Sequence, residues 1–167
     1  MSKNNAAQKE EKKPSILELQ ARWDKIRIAN LYDALDSMGY PNQCLDLGIR
    51  PLFPKQHLAG VAIPVRGSRD PRTPEDFKKE GGGVNYFQQL KEKIFPGAVV
   101  VVETGGEPHT GKFGEMTSWA LKQRGARGMV IDGYIRDYLG LEVIPDYTVC
   151  ARGTSPCLLY TSPSPRD

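Results

Sequence analysis

The run Ala98-Val99-Val100-Val101-Val102 constrains this chain more than any other stretch. It offers water no polar face and most of its side chains are β-branched, so it reads as a strand buried on both faces. A strand of that kind needs layers on either side and neighbours along both edges. Two further runs can supply the neighbours, Gly128-Met129-Val130-Ile131-Asp132-Gly133 and Tyr147-Thr148-Val149-Cys150-Ala151. Before the first of these, Met116, Trp119 and Ala120, with Gln123 one turn on, mark an amphipathic helix that ends at Gly125. Strands alternating with helices predict an α/β domain with a layered sheet.

The upstream chain carries clear punctuation. Ser15 followed by Glu18 is a capping box, and Ile16, Leu19 and Trp23 continue it as a short helix. Asn30 is the expected cap of a second helix, Leu31 to Met38, with Gly39 as its left-handed stop. On that helix Asp33 and Asp36 read as solvated or structural acids. Residues 40–54 are turn-rich and predict a connection with at most a short strand. Leu58 to Arg66 predicts a strand that Pro64 confines to an edge or a bulge. Residues 67–83 hold so many breakers that they predict a long surface loop or lid; the triple glycine 81–83 lacks the Lys-Ser/Thr that a phosphate loop requires. Asn85 to Ile94 returns to helical spacing through Phe87, Leu90 and Ile94.

Composition serves mainly to exclude. The net charge is +3, but residues 1–13 carry +2 of it, leaving +1 for all the rest, so no basic face points to nucleic acid. Residues 1–13 read as a disordered polar tail ahead of a single domain at 14–156. No apolar run is long enough for a membrane span, no signal-peptide core opens the chain, and the expected location is cytoplasmic. Cys44, Cys150 and Cys157 have neither disulfide-framework nor zinc spacing, and His57 and His109 stand far apart. Any bound metal is therefore expected to be hard and oxygen-ligated.

The chemistry concentrates between Gly111 and Pro156. There a glycine-flanked acid, Glu115, leads into the helix, and the following strand delivers Arg136 and Asp137. The twenty intervening residues suit one helix, one turn and one strand returning beside the helix start. Taken alone, an Arg-Asp pair after a turn can be a plain surface ion pair, Glu115 can be a first-turn acid serving the helix dipole, Asp132 a turn residue and His109 a loop residue.

The segments ANLYDALDSMG, PGAVVVVE, FGEMTSWALKQRGARGMVIDGYIRD and YTVCARGTSP together resemble the RraA-like family over residues 26–156. That family includes class II 4-hydroxy-4-methyl-2-oxoglutarate aldolases, also active as oxaloacetate decarboxylases, and non-catalytic regulators of ribonuclease activity. The resemblance implies a swivelling β/β/α layered fold, and homotrimers or hexamers with sites at subunit interfaces. The family usually has Asp at the place of Glu115, and often an acid at the place of Gly140.

The chemistry expected of such a site is cleavage beside a keto group to leave a pyruvate enolate. No lysine stands beside these motifs in a desolvated position suited to a Schiff base, and Lys122 is expected on the exposed helix face. A divalent Mg or Mn ion is the expected substitute, with Asp137 as its ligand. Arg136 would contact the 2-oxo acid substrate and stabilise the enolate oxygen. The backbone amides of Gly114, Glu115, Met116 and Thr117 would cradle its carboxylate, and Glu115 would hold water near the metal and assist proton transfer. The alternative is a regulator that binds a ribonuclease; such members typically lack the acid after the arginine, whereas this chain has Asp137. Residues 157–167, CLLYTSPSPRD, resemble translated sequencing adapter and are set apart from the fold, with the natural protein expected to continue past Pro156 and to draw a further acid from a neighbouring subunit.

Overall fold

The valine run forms β3 (Ala98–Glu103), parallel to β2 (Val61–Arg66) along one edge and to β4 (Gly128–Ile135) along the other. Beyond β4 lies β5 (Thr148–Thr154), again parallel, and the two-residue β1 (Arg50–Pro51) closes the far edge antiparallel, giving the order β1-β5-β4-β3-β2. The computed structural model describes residues 13–54, 56–67, 73–79, 86–105 and 110–156. Within them the fold is α/β, as expected, built on this one five-stranded sheet.

Each step from β2 to β3 to β4 to β5 moves the same way across the sheet. Parallel neighbours need crossovers, and right-handed crossovers that always step in one direction leave their helices on one face. That face is the core. Register aligns Ile63, Val100, Met129 and Val149 in one row and Val65, Val102, Ile131 and Ala151 in the next. Against these rows pack Leu90 of α4 (Tyr86–Lys93), Leu121 of α5 (Glu115–Gln123) and Leu141 of α6 (Tyr138–Glu142). The Phe53 ring meets Tyr138 at 4.7 Å between centroids, and the Tyr138 hydroxyl donates to the Leu52 carbonyl at 3.3 Å, fastening the start of α6 to the chain beyond β1.

The opposite face is covered less evenly. Gln20 of α1 (Ile16–Trp23) is buried and its side-chain amide donates to the Gly97 carbonyl, at the end of the sheet where Val99 is also buried. Further along the same face Val101, Val130 and Cys150 are only half-buried, and Ala62 and Pro64 are exposed. Burial on both faces thus holds for β3 at Val99 and weakens at Val101. As expected, Pro64 lies in an edge strand, which tolerates its missing N–H.

The capping box at Ser15 and Glu18 forms with both of its hydrogen bonds, and Gly39 and Gly125 take the left-handed conformation expected of helix stops. Three expectations are corrected. The second helix, α2 (Ile28–Ser37), starts ahead of Asn30, which lies inside it; the N-cap is Arg27, without a side-chain cap bond. The helix begins as soon as the turn after α1, closed by bonds from Lys25 and Ile26 to the Arg22 and Trp23 carbonyls, releases the chain. The breaker-rich loop contains a helix, α3 (Pro74–Lys79). Thr73 and Asp76 bond reciprocally at its start, with the hydroxyl accepting from the Asp76 N–H at 3.2 Å, and Pro74 occupies the first turn, where its missing N–H costs nothing. Met116, expected on the buried side of its helix, is 85% exposed, because Ser118 and Leu121 form the buried face. The expectations for residues 1–12, Gly81–Gly83, His109 and residues 157–167 fall outside the described residues.

Candidate functional site

The two halves of the Gly111–Pro156 stretch meet at the end of β4. Residues 111–113 run alongside it: Gly111 bridges to Tyr134, the Lys112 N–H donates to the Tyr134 carbonyl at 3.0 Å, and the Arg136 N–H donates to the Phe113 carbonyl at 3.0 Å. On the other flank the Ser155 N–H donates to the Ile135 carbonyl at 2.7 Å. Held on both sides, the strand delivers Arg136 and Asp137 to the first turn of α5.

A bulge sets the aim of that delivery. Ile131 pairs with Ala151 and Tyr134 with Gly153, so β4 carries one residue more than β5 between these points. An extra residue bends a strand and shifts its side-chain alternation. Asp132 and Gly133 lie at the irregularity. The Asp132 carbonyl accepts from the Thr104 hydroxyl at 2.6 Å, and a Cβ on Gly133 would stand 2.6 Å from the Thr104 methyl. Asp132 is thus a strand residue instead of a turn residue, and its carboxylate pairs with the Arg152 guanidinium at 2.5 Å.

Gly114 is the N-cap of α5 and has no side chain with which to cap it. Asp137 does so from across the site: its Oδ2 accepts from the Glu115 N–H at 3.3 Å and lies 3.4 Å from the Arg136 Nε. Asp137 adopts the left-handed conformation, φ 58° and ψ 46°, which Asp tolerates better than most residues and which turns the chain straight into α6. A Cβ at Gly114 would collide with the Asp137 carboxylate and stand 2.9 Å from the Arg136 Cγ. Glycine is therefore what lets the pair close on the helix end. The expected cradle has its Glu115 amide already engaged by Asp137; the amides of Met116 and Thr117 follow in the same turn, where a helix has no internal acceptors for its N–H groups.

Sequence reasoning passed over the role of Gly140. The Glu115 carboxylate lies where a Cβ on Gly140 would be, with its Cγ 2.8 Å from that point. The two departures from the family pattern, a longer acid at 115 and no side chain at 140, are thus one spatial arrangement. No local sequence signal links them. Lys122 is half-buried instead of exposed; its ammonium donates to the Asp146 carbonyl at 2.9 Å, toward the other end of α5 from Glu115.

A cavity of about 240 Å³ adjoins the same helix start, lined by Val65, Tyr86, Phe87, Leu90, Lys112, Phe113 and Thr117. Among the described residues there is no group of three or more His, Cys, Asp or Glu side chains placed to hold a metal, and no helix is long and apolar enough to cross a membrane.

Solved structures share this architecture. RraAS2 of Streptomyces coelicolor, an unusual member of the RNase ES inhibitor RraA protein family, superposes with a TM-score of 0.71 at 24% identity over 87% of this chain and 68% of that one. An uncharacterized protein of Pseudomonas syringae pv. tomato matches at 26% identity and a TM-score of 0.59, covering 86% of this chain and 61% of its own. The RNA-processing inhibitor RraA of Thermus thermophilis matches at 22% identity and a TM-score of 0.58, with 79% and 70% covered. The family model described as RraA-like, Aldolase/RraA, matches residues 28–164, and with the fold and the acid–Arg–Asp arrangement in place the chain belongs to the RraA-like family.

Proposed function

We propose that the chain is a divalent-metal-dependent lyase that releases pyruvate from 4-hydroxy-4-methyl-2-oxoglutarate or oxaloacetate through an enolate. The observation that carries this reading is the convergence on the Asp137 carboxylate, beside Gly114, of the Arg136 Nε at 3.4 Å and the first amide of α5 at 3.3 Å. The donor set suits a hard cation. Asp137 offers one carboxylate and Glu115 brings another into the same turn, and magnesium-type ions bind through one or two carboxylates while keeping much of their water. Asp137 would hold the ion, which when bound supplies Lewis-acid stabilisation of developing negative charge.

The chain's own residues supply the rest. The N-terminal amides of α5 and the positive end of its dipole orient the substrate carboxylate. Arg136 keeps its Nε on Asp137, and its terminal nitrogens are the donors for the oxygen that becomes negative, where a fixed cation stabilises the transition state more than the ground state. Glu115, with its carboxylate folded over Gly140, positions the water that exchanges a proton with the carbon or hydroxyl. A homotrimer or hexamer, with sites shared between subunits, belongs to the same reading.

The second reading is a non-catalytic regulator that binds a ribonuclease, favoured by the likeness to an RNA-processing inhibitor and to an unusual member of an RNase ES inhibitor family. Asp137 argues against it, since the regulatory members typically lack the acid that follows the arginine. Pyruvate release from each substrate, followed with added Mg2+ or Mn2+ and again in excess chelator, separates the two. Metal-dependent release supports the lyase; no release under either condition, together with capture of a ribonuclease, replaces it with the regulator.

A further inference from the structure

Arg152 is the β5 residue that faces the bulge. The register passes from Ile131–Ala151 to Tyr134–Gly153, which leaves Asp132 and Gly133 of β4 opposite Arg152 alone. Ile131 and Ala151 are buried in the core, so by alternation Asp132 and Arg152 project from the other face of the sheet. Where the ladder is interrupted, this side-chain pair spans it. The Arg152 Nε donates to Asp132 Oδ1 at 2.5 Å, and its Nη1 donates to Asp46 Oδ1 at 3.0 Å. Resting on the lyase reading, we propose that Arg152 is a positioning residue for the candidate site, pinning the bulge so that the end of β4 presents Arg136 and Asp137 to the first turn of α5.

Side-chain alternation and charge both call for such a pin. Without the extra residue, every later side chain of β4 turns to the other face of the sheet. The bond from the Arg136 N–H to the Phe113 carbonyl and the bond from the Glu115 N–H to the Asp137 carboxylate belong to the bulged setting. Register also sets Glu103 of β3 beside Asp132, and like charges directly opposite repel. Each of these acids has an arginine on its outer side, Arg66 at 2.9 Å from Glu103 and Arg152 beside Asp132. Removing Arg152 leaves the Asp132 carboxylate facing Glu103 uncompensated, at the one point where the β4–β5 ladder is broken. Thr104 holds the Asp132 carbonyl from the β3 side and leaves the carboxylate to Arg152. The pair is exposed, and exposed ion pairs add little to overall stability, so its effect falls on the aim of the strand and not on whether the chain folds.

Two measurements on the full 167-residue chain test this. The first is amide hydrogen exchange followed by NMR. In Arg152→Ala the Glu115 and Arg136 amides should exchange at least about 10-fold faster than in the parent chain, while the amide of Leu121, buried in α5, keeps its rate. The second is pyruvate release from oxaloacetate with Mn2+. Arg152→Ala should lower kcat by about 10–100-fold with KM within about threefold, because a misaimed Arg136 is missed most in the transition state. Asp132→Asn keeps an acceptor for the Arg152 Nε and relieves the repulsion from Glu103, so its kcat should stay within about threefold of the parent. Asp46→Asn touches only the other arm of the guanidinium and should leave release unchanged within about twofold. Unaltered exchange at Glu115 and Arg136, a rise that Leu121 shares equally, or local loosening with an unchanged kcat overturns the proposal. Local loosening in Arg152→Ala, with no pyruvate released even by the parent chain, keeps Arg152 as the pin of the bulge and removes the lyase reading instead.

Discussion

Two regions of this molecule carry similar helical patterns and come to different ends. In α5 and α6, Leu121 and Leu141 are essentially fully buried, and both helices pack onto the sheet beside the candidate site. In α2 no residue is buried, Ile28 is 75% exposed, and the chain that follows exposes Met38, Leu45 and Leu47. The difference lies in connectivity. Crossovers between parallel strands force α5 and α6 onto the sheet, whereas α2 leads into a long connection ending in a two-residue edge strand. Periodicity tells that a helix has an apolar face; topology decides whether the same chain covers it.

Substitutions can break or sharpen this comparison. Leu121→Ala should cost about 2–5 kcal/mol in denaturant unfolding, since it empties a packed site between α5 and the sheet. Next in size is Gly114→Ala. Its new methyl group meets the Asp137 carboxylate, so pyruvate release should fall by about 10–100-fold with smaller loss of stability, and Gly140→Ala should act in the same direction by displacing the Glu115 carboxylate. Ile28→Ser should change stability by no more than about 0.5 kcal/mol in the isolated chain, and a larger loss would show that α2 is covered in solution. The smallest effect is expected at Asp46. Hydrogen bonding from the Gly48 N–H, and then from Arg152, holds its carboxyl below the ordinary value of 3.8. A depressed folded-state value gives stability that is present above the unfolded value and lost as the pH falls through the folded one, so Asp46→Asn should slightly flatten the acid limb of a plot of Tm against pH below about pH 4.

Much of the fold was legible because its signals are local. The valine run, the Ser15 box and the glycine stops at 39 and 125 each state their own structure. The meeting of Glu115 with Arg136 and Asp137 was legible too, because one helix and one strand fix the length of the return. What was not legible depends on residues brought together from a distance. The bulge at Asp132 and Gly133 exists only relative to β5, and the fit of Glu115 over Gly140 needs α5 and α6 side by side. Met116 was misplaced because an apolar side chain in a short helix does not reveal which side the sheet takes. The α3 start is a different case, since Thr73-Pro74-Glu75-Asp76 spells a capping box that the surrounding breakers obscured.

The central claim is that Asp137 is a working carboxylate as well as a cap for α5. Asp137→Asn tests it most directly, because Asn also tolerates the left-handed backbone and can still accept the Glu115 N–H, leaving charge as the main change. With Mn2+ supplied, pyruvate release from oxaloacetate is expected to drop by at least about 1,000-fold while circular dichroism and Tm stay near those of the parent chain. Turnover equal to that of the parent chain would contradict the account.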